Sequence, residues 1–225
     1  QWVHGRYIRG MDWWMYTPKG DASWYWKKIH KIKQLFCNYS KDEYKVNEGY
    51  RWLLNSDCRP YWTTMVWSRI SIPRHSITAW FFMHQRLPVL SRLGQHMDIS
   101  TICSFCQHHI ETQDHLFFEC PFAKELWDKF TAEWSLNLDA RGREALILSL
   151  KRLKLTRKMR GLVHAMSNAV IYHIWQARNM LLFKNETYQA TSILRDIKTQ
   201  IIQRVLQIHQ CNHSYTSCID FLLRR

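Results

Sequence analysis

Between positions 103 and 120 the chain carries cysteine and histidine in the spacing C-x2-C-x8-H-x4-C, formed by Cys103, Cys106, His115 and Cys120. No other stretch restricts the fold so tightly. Two cysteines separated by two residues occupy one tight turn from which both sulfurs can reach a single ion. A returning segment with His115 and Cys120 then completes a tetrahedron. Thiolate and imidazole suit Zn²⁺, whereas Ca²⁺ and Mg²⁺ demand oxygen ligands. Cys120 stands directly before Pro121, a residue favoured at the first helical position, so its sulfur is expected at a helix N-terminus where the dipole supports a thiolate. His108 and His109 are rivals for the third corner, but they lie too close behind Cys106 to wrap round as an independent ligand. A Cys103–Cys106 disulfide is the metal-free alternative, and the lack of a visible secretory signal argues against it. Four protein ligands leave no open position, so the expectation is one structural Zn²⁺ and not a hydrolytic centre.

On both sides of this knuckle the apolar residues recur at helical spacing. Asp21 and Ser23 are good N-cap residues ahead of Trp24, Ile29, Ile32, Leu35 and Phe36, which predicts a helix of about 15 residues. Asn47 can cap a short helix through Tyr50, Leu53 and Leu54, and another is expected through Trp62, Val66 and Trp67. Ile72-Pro73 opens a helix carrying Ile77, Trp80, Phe81 and His84. Leu87-Pro88 and Gly94 bracket a short one with Leu90 and Leu93. From Asp98 to Cys120 the period vanishes. It resumes after Pro121 with Phe122, Leu126, Trp127 and Phe130, and continues from Ala145 to Leu155. Two longer stripes come next, one through Leu162, Met166, Ala169, Val170, Ile174, Ala177 and Leu181, the other through Ile193, Ile197, Ile201, Val205 and Ile208. With only 7 Gly and 5 Pro, the chain lacks the turns of a sandwich or barrel. The fold class expected is mainly α, multi-helical, with a small irregular CCHC zinc knuckle inserted between helices. The organisation expected is a helical extension over residues 1–44, the knuckle-bearing domain over 45–134, and a basic helical region over 135–225.

Charge separates those regions. Lys plus Arg outnumber Asp plus Glu by 11 to 6 in residues 1–60 and by 15 to 4 in residues 141–225, whereas residues 61–140 hold 6 against 8. Lys151, Arg152, Lys154, Arg157, Lys158 and Arg160 fall within ten positions, the footprint of a polyanion partner, with RNA or DNA foremost. The alternative for such a run is a solvated helix face without a ligand. Three thiolates, a neutral imidazole and Zn²⁺ sum to a negative centre, so the knuckle itself is a poor phosphate grip, and the metal is expected to fix helices while cations elsewhere supply affinity. Of the tryptophans, Trp52, Trp67, Trp80, Trp127 and Trp175 fall on predicted apolar stripes and are expected in the core. Trp13-Trp14 and Trp24-x-Trp26, beside Lys27 and Lys28, are the better candidates for stacking on bases. His84, His164 and His173 are expected to be structural. Cys37, Cys58, Cys211 and Cys218 are expected to be idle or buried thiols, although Cys211, His213 and Cys218 could contribute to a second metal site.

These residues also carry a resemblance. Tyr50-Arg-Trp52-Leu53-Leu54, Val66-Trp67, Ile72-Pro73-Arg74-His75, Ala79-Trp80-Phe81, Gln85-Arg86-Leu87-Pro88, Arg92-Leu93, Cys103-x2-Cys106, Asp114-His115-Leu-Phe-Phe-Glu-Cys120-Pro-Phe-Ala and Trp127 together resemble the reverse-transcriptase zinc-binding domain. That domain lies in the C-terminal part of non-LTR retrotransposon polyproteins of the plant type. The resemblance spans about residues 45–134, with outlying similarity at Ser23-Trp24-Tyr-Trp26-Lys-Lys-Ile and at Ile171-Tyr-His-Ile174-Trp175-Gln-Ala-Arg178-Asn179. Arg74 stands where the family commonly has Lys, which keeps the cation. The resemblance implies a zinc module of an element that copies RNA into DNA, with a part in gripping nucleic acid or in holding the polymerase assembly together.

The polymerase itself is not expected here, because its Tyr/Phe-x-Asp-Asp turn needs an Asp-Asp pair and the sequence has none. A P-loop and a Gly-x-Ser-x-Gly elbow are also missing, so the chain reads as non-catalytic and without a small-molecule substrate. The competing expectation is a zinc-stabilised protein-interaction scaffold whose helices from Leu162 and Ile193 dock onto a partner without nucleic-acid contact. No apolar run reaches the roughly 18 residues needed to cross a bilayer, and Gln1 stands where Met would open a complete chain. The expectation is therefore a soluble, intracellular piece of a longer protein, nuclear or cytoplasmic, with no membrane partner.

Overall fold

A computed structural model describes residues 8–33, 36, 48, 60–211 and 215–223. The expected helix capped by Asn47, together with Trp52, Cys37, Cys58 and His213, lies outside the described residues. The chain divides into two compact units, residues 1–59 and 60–225.

In the first unit α1 spans Trp24–Lys33. Ser23 starts it as expected: its hydroxyl accepts from the Trp26 amide at 3.2 Å. Among the described residues of this unit, Ile8, Tyr16 and Trp26 form a buried cluster. A polar tie also holds the loop before the helix: Lys33 Nζ donates to the carbonyls of Trp13, Trp14 and Tyr16 at 2.9, 2.8 and 2.8 Å.

The second unit is helical, and its described residues contain no strand, only an isolated antiparallel bridge between Ile102 and Ile110. In chain order its helices are α2 (Trp62–Val66), α3 (Pro73–Met83), α4 (Leu90–Leu93), α5 (Pro121–Glu133), α6 (Arg143–Arg152), α7 (Arg157–Lys184), α8 (Ala190–Cys211) and α9 (Thr216–Leu223). Pro73 and Pro121 sit at the first turn of α3 and α5, where a missing N–H costs nothing. The long α7 starts at Thr156, whose hydroxyl accepts from the Met159 amide, and ends at Asn185 in the left-handed conformation.

Helix α7 is the axis of this unit. Almost every side chain from Leu162 to Ile174 is buried, so it is apolar nearly all round, the mark of a helix surrounded by others. Its most extensive packing is against α3, with α2 and α8 also against it, and α8 packs in turn on α5. The expected stripe Ile193, Ile197, Ile201, Val205 and Ile208 is buried in this core along with Trp127, Phe130 and Phe82. One interior polar group ties two helices: Asn168 Nδ2 donates to the carbonyls of Met65 and Val66 at 2.9 and 3.3 Å, satisfying the C-terminal end of α2 that no further helical turn would reach.

Three expectations change here. The stretch from Asp98 to Cys120 is not wholly irregular, because His115–Glu119 forms a π turn. Its sequence, His-Leu-Phe-Phe-Glu, has no helical repeat long enough to register as a period, and the turn exists to place its ends. On α3 the stripe Ile77, Trp80, Phe81 and His84 does not face the core. His75, Ser76, Ala79, Phe82 and Met83 are the buried positions, Trp80 is half-buried, and Ile77 and Phe81 are 51% and 39% exposed. Helical spacing identified the helix but both of its faces are apolar, so spacing alone could not say which one faces in. Trp67, expected in the core, is 56% exposed because it caps α2 with non-helical φ −101° and ψ 44°, so the helical spacing no longer aims its side chain.

Candidate metal centre

The knuckle is assembled from four backbone devices. Cys103 N donates to the His109 carbonyl at 2.7 Å and Glu111 N to the Thr101 carbonyl at 2.8 Å, which folds residues 101–111 back on themselves. The loop turns at Gln107, a non-glycine residue held at φ 57°, with its amide on the Cys103 carbonyl. The π turn is started by Thr112, whose hydroxyl accepts from the His115 amide at 3.0 Å, and is closed by Cys120 N on the His115 carbonyl at 2.7 Å. Cys120 then leaves in an extended conformation as the N-cap of α5. A regular α turn from 115 to 119 would place the two ligands differently; the extra residue of the π turn lets both face the cysteine loop.

The result is a compact donor set. The ligand atoms of Cys103, Cys106, His115 and Cys120 all lie within 4.8 Å of one another. Cys103 Sγ and Cys120 Sγ are 4.0 Å apart, and Cys106 Sγ is 3.3 Å from His115 Nε2. A tetrahedron with Zn–S near 2.3 Å and Zn–N near 2.0–2.1 Å has edges of about 3.8 Å between sulfurs and about 3.5 Å from sulfur to nitrogen, so these separations fit that ion. Cys103, His115 and Cys120 are buried and Cys106 is half-buried.

Electrostatics point the same way. The two buried sulfurs share a hydrogen bond in which Cys103 donates and Cys120 accepts, which pushes the Cys103 thiol up and the Cys120 thiol down, so one sulfur of the pair is already set to carry charge. Backbone amides already serve the charge: those of Cys106 and Phe105 donate to the Cys103 sulfur, and those of Phe122 and Ala123, in the first turn of α5, donate to Cys120. Burial, reinforced by His109 alongside, holds the His115 imidazole below its ordinary pKa and therefore neutral, the form that ligates a metal. Its Nδ1 faces the Glu119 carboxylate at 3.9 Å.

The rival ligands fall outside the tetrahedron. His109 stacks on His115 with ring centroids 5.2 Å apart and approaches only Cys106, at 3.9 Å, while His108 is exposed. Cys103, Cys106 and Cys120 are free, so the disulfide alternative is not realised. Cys218 is free and buried, and among the described residues it belongs to no metal-binding group.

One residue pair escaped sequence reasoning. Glu111, on the return arm of the knuckle, and Arg178, on α7, form a fully buried ion pair: Arg178 Nη2 and Nε donate to Glu111 Oε1 at 2.7 and 3.1 Å. The same oxygen accepts from the Leu90 amide at 2.9 Å, serving the N-terminal end of α4, and the Arg178 guanidinium lies over the Trp175 ring at 4.9 Å. The Glu and Arg are 67 positions apart, so no spacing rule could pair them. The only sequence signal was that Trp175 and Arg178 belong to the outlying stretch of family similarity on the C-terminal side of the domain.

A closed Cys3His site, buried in a helical protein and lacking a fifth donor among the described residues, defines a structural zinc centre, which bound Zn²⁺ would serve by cross-linking the loop to α5. Residues 44–127 match the family described as zinc-binding in reverse transcriptase. The domain is a zinc-binding module rather than a polymerase domain. No curated protein and no solved structure matches the chain. Among the described residues no helix is long and apolar enough to cross a membrane.

Proposed function

We propose that the chain is a non-catalytic accessory module of a reverse transcriptase, in which structural zinc organises the helices and the basic stretch between α6 and α7 grips the phosphates of RNA or DNA. The observation that carries this reading is the start of α7. Arg157, Lys158 and Arg160 crowd its first turn, where the helix dipole is positive, and that turn itself contains no acidic residue. Cations at that end raise the free energy of the folded chain unless an anion is present. Lys151 and Arg152 end α6, Lys154 lies in the connection, and the side chains of all six are exposed. Aromatic rings shelve two of the amines: Lys151 Nζ lies 5.8 Å from the Tyr61 ring and Lys158 Nζ 5.7 Å from the Tyr215 ring. Arg160 Nη2 donates to the Leu155 carbonyl at 3.2 Å, fixing the turn between the helices. The module would act beside a polymerase core of the same polyprotein, in the nucleus or cytoplasm.

The scaffold reading loses its intended surface, because the stripes of α7 and α8 that would dock a partner are buried in the unit's own core. A salt-titrated binding assay separates the two. With each neutralised phosphate the logarithmic salt slope steepens by about 0.7 for single strands and about 0.9 for duplex. Replacing Lys151, Arg152 and Lys154 by alanine is expected to weaken binding of any sequence and to flatten that slope by about two to three units. An unchanged slope removes these residues from the interface.

A further inference from the structure

The row of side chains that α3 turns away from the core is more than an accident of packing. Ile77, Trp80, Phe81 and His84 stand at i, i+3, i+4 and i+7, so they share a single face of the helix. Trp62 from α2 joins the row. Ring centroids are 5.2 Å apart from Trp62 to His84, 4.8 Å from His84 to Trp80 and 5.1 Å from Trp80 to Phe81, each pair set edge to face. The opposite face of α3, with Ala79, Phe82 and Met83, already satisfies the core. Trp62 and Trp80 rest their inner edges on that core, and the rest of the row is left to solvent.

The electrostatic surroundings indicate what covers them. From Pro60 to Met97 the only charged residues besides histidine are Arg69, Arg74, Arg86 and Arg92, and no carboxylate occurs. Two guanidinium groups close on the C-terminal end of α3, where His84 stands: Arg92 Nη1 donates to the Gln85 carbonyl at 2.9 Å and Arg143 Nη1 to the Met83 carbonyl at 3.1 Å. The acid nearest Arg143 is Glu144, at 3.9 Å and itself turned to solvent. Exposed rings framed by arginines, on a segment from Pro60 to Met97 that carries no carboxylate and with Glu144 the one acid at the edge beside Arg143, complement a ligand that is polyanionic and has aromatic faces. Single-stranded nucleic acid combines both, because its bases stack on rings while its phosphates pair with guanidinium groups. Duplex hides its bases and would use the arginines alone.

We infer that the outer face of α3, Trp62, Trp80, Phe81 and His84, is a stacking platform for unpaired bases of single-stranded nucleic acid, with Arg86, Arg92 and Arg143 at its phosphate edge. This rests on the nucleic-acid reading above and gives it a preference for single strands through a surface separate from the basic stretch between α6 and α7.

The test uses the full zinc-loaded chain with fluorescently labelled oligothymidylate, oligouridylate and a duplex of equal length. Phe81→Leu keeps apolar volume and removes the ring, and Phe81→Tyr restores the ring. Stacking is worth about 1–3 kcal/mol per base, or roughly 5-fold to 150-fold in affinity. Phe81→Leu is therefore expected to weaken single-strand binding by at least about fivefold and leave duplex binding unchanged, with Phe81→Tyr close to wild type. Adding His84→Ala is expected to deepen the single-strand loss. Zinc content and melting temperature of these surface variants should match wild type. Equal single-strand affinity for Phe81→Leu and Phe81→Tyr overturns the platform, and if the Lys151, Arg152 and Lys154 variant still loses affinity, the phosphate reading survives alone. Failure of the wild-type chain to bind any of the three probes at low salt overturns both. Loss of self-association in the Phe81 variants without a change in oligonucleotide affinity makes the face a protein interface and also overturns the platform.

Discussion

The knuckle and the helical core of the second unit are held together in opposite ways. Around α7 the side chains of α3, α5 and α8 bury one another, and stability is spread over many apolar contacts that each contribute a little. The knuckle turns its cysteine loop outward: Gln107, His108, His109 and Ile110 are exposed, Ser104 and Glu111 lie inside beside the ligands, and the apolar residues it buries, Leu116, Phe117 and Phe118, belong to the π turn. A loop of that kind cannot offset its backbone entropy by burial, so a few strong directional ties must hold it, here one metal site and one buried ion pair. Stability in the core is therefore divisible, whereas in the knuckle it is concentrated in five or six side chains.

The largest break in that contrast comes from the metal. Chelation, or Cys103→Ser, is expected to abolish stoichiometric zinc and to expose the amides of residues 101–111 to hydrogen exchange, while the amides of α7 and α8 keep most of their protection. Global unfolding on chelation would show that the core depends on the knuckle too. Next is Arg178→Ala, which leaves Glu111 charged and alone in the interior; a loss of about 3–5 kcal/mol is expected in denaturant titration. The paired replacement Glu111→Leu with Arg178→Met should recover most of it, because no buried charge then lacks a partner. In the core, Ile197→Ala is expected to cost about 3 kcal/mol and to leave zinc content unchanged, since the cavity is local to α8.

The smallest effect concerns acid. Burial holds His75 at about 3 and His164 and His173 at about 4, against 6.5 in the unfolded chain. A histidine with a lowered folded pKa is neutral in the core, so the unfolded chain takes up protons that the folded one refuses. Its contribution is intact above pH 6.5 and is lost as pH falls from there toward 4. His164→Leu should make the fall in stability over this window shallower by up to about 1.4 kcal/mol per pH unit. Of the acid sensitivity that remains, part belongs to His75 and His173, and the rest should track zinc release, as ligand thiolates compete with protons.

Much of this was legible in the sequence. The four ligands needed no alignment, because the reach of a two-residue turn and the chemistry of thiolate and imidazole restrict the choice to a few residues. Pro73 and Pro121 marked true helix starts, and the two long stripes led to α7 and α8. The misplaced rings had two causes. Trp80 lies on a helix whose opposite faces are both apolar, where periodicity carries no sign to tell inside from outside, and Trp67 lies just past the end of α2, where the helical repeat stops. The π turn at His115 escaped because a single turn has no repeat. The Glu111 and Arg178 pair escaped because two charges far apart in the chain look like any other surface residues until the fold brings them together.

The sequence by itself therefore determined the helices, the metal-ligand set and the uneven charge, since each is written in spacings of a few residues that local geometry obeys. Only the tertiary structure decided that α7 would be the axis, that a carboxylate of the knuckle would meet an arginine of that helix in the interior, and that α3 would keep a row of rings for the solvent. Those outcomes depend on which surfaces exclude water together, a property of the whole packed chain that no short window contains.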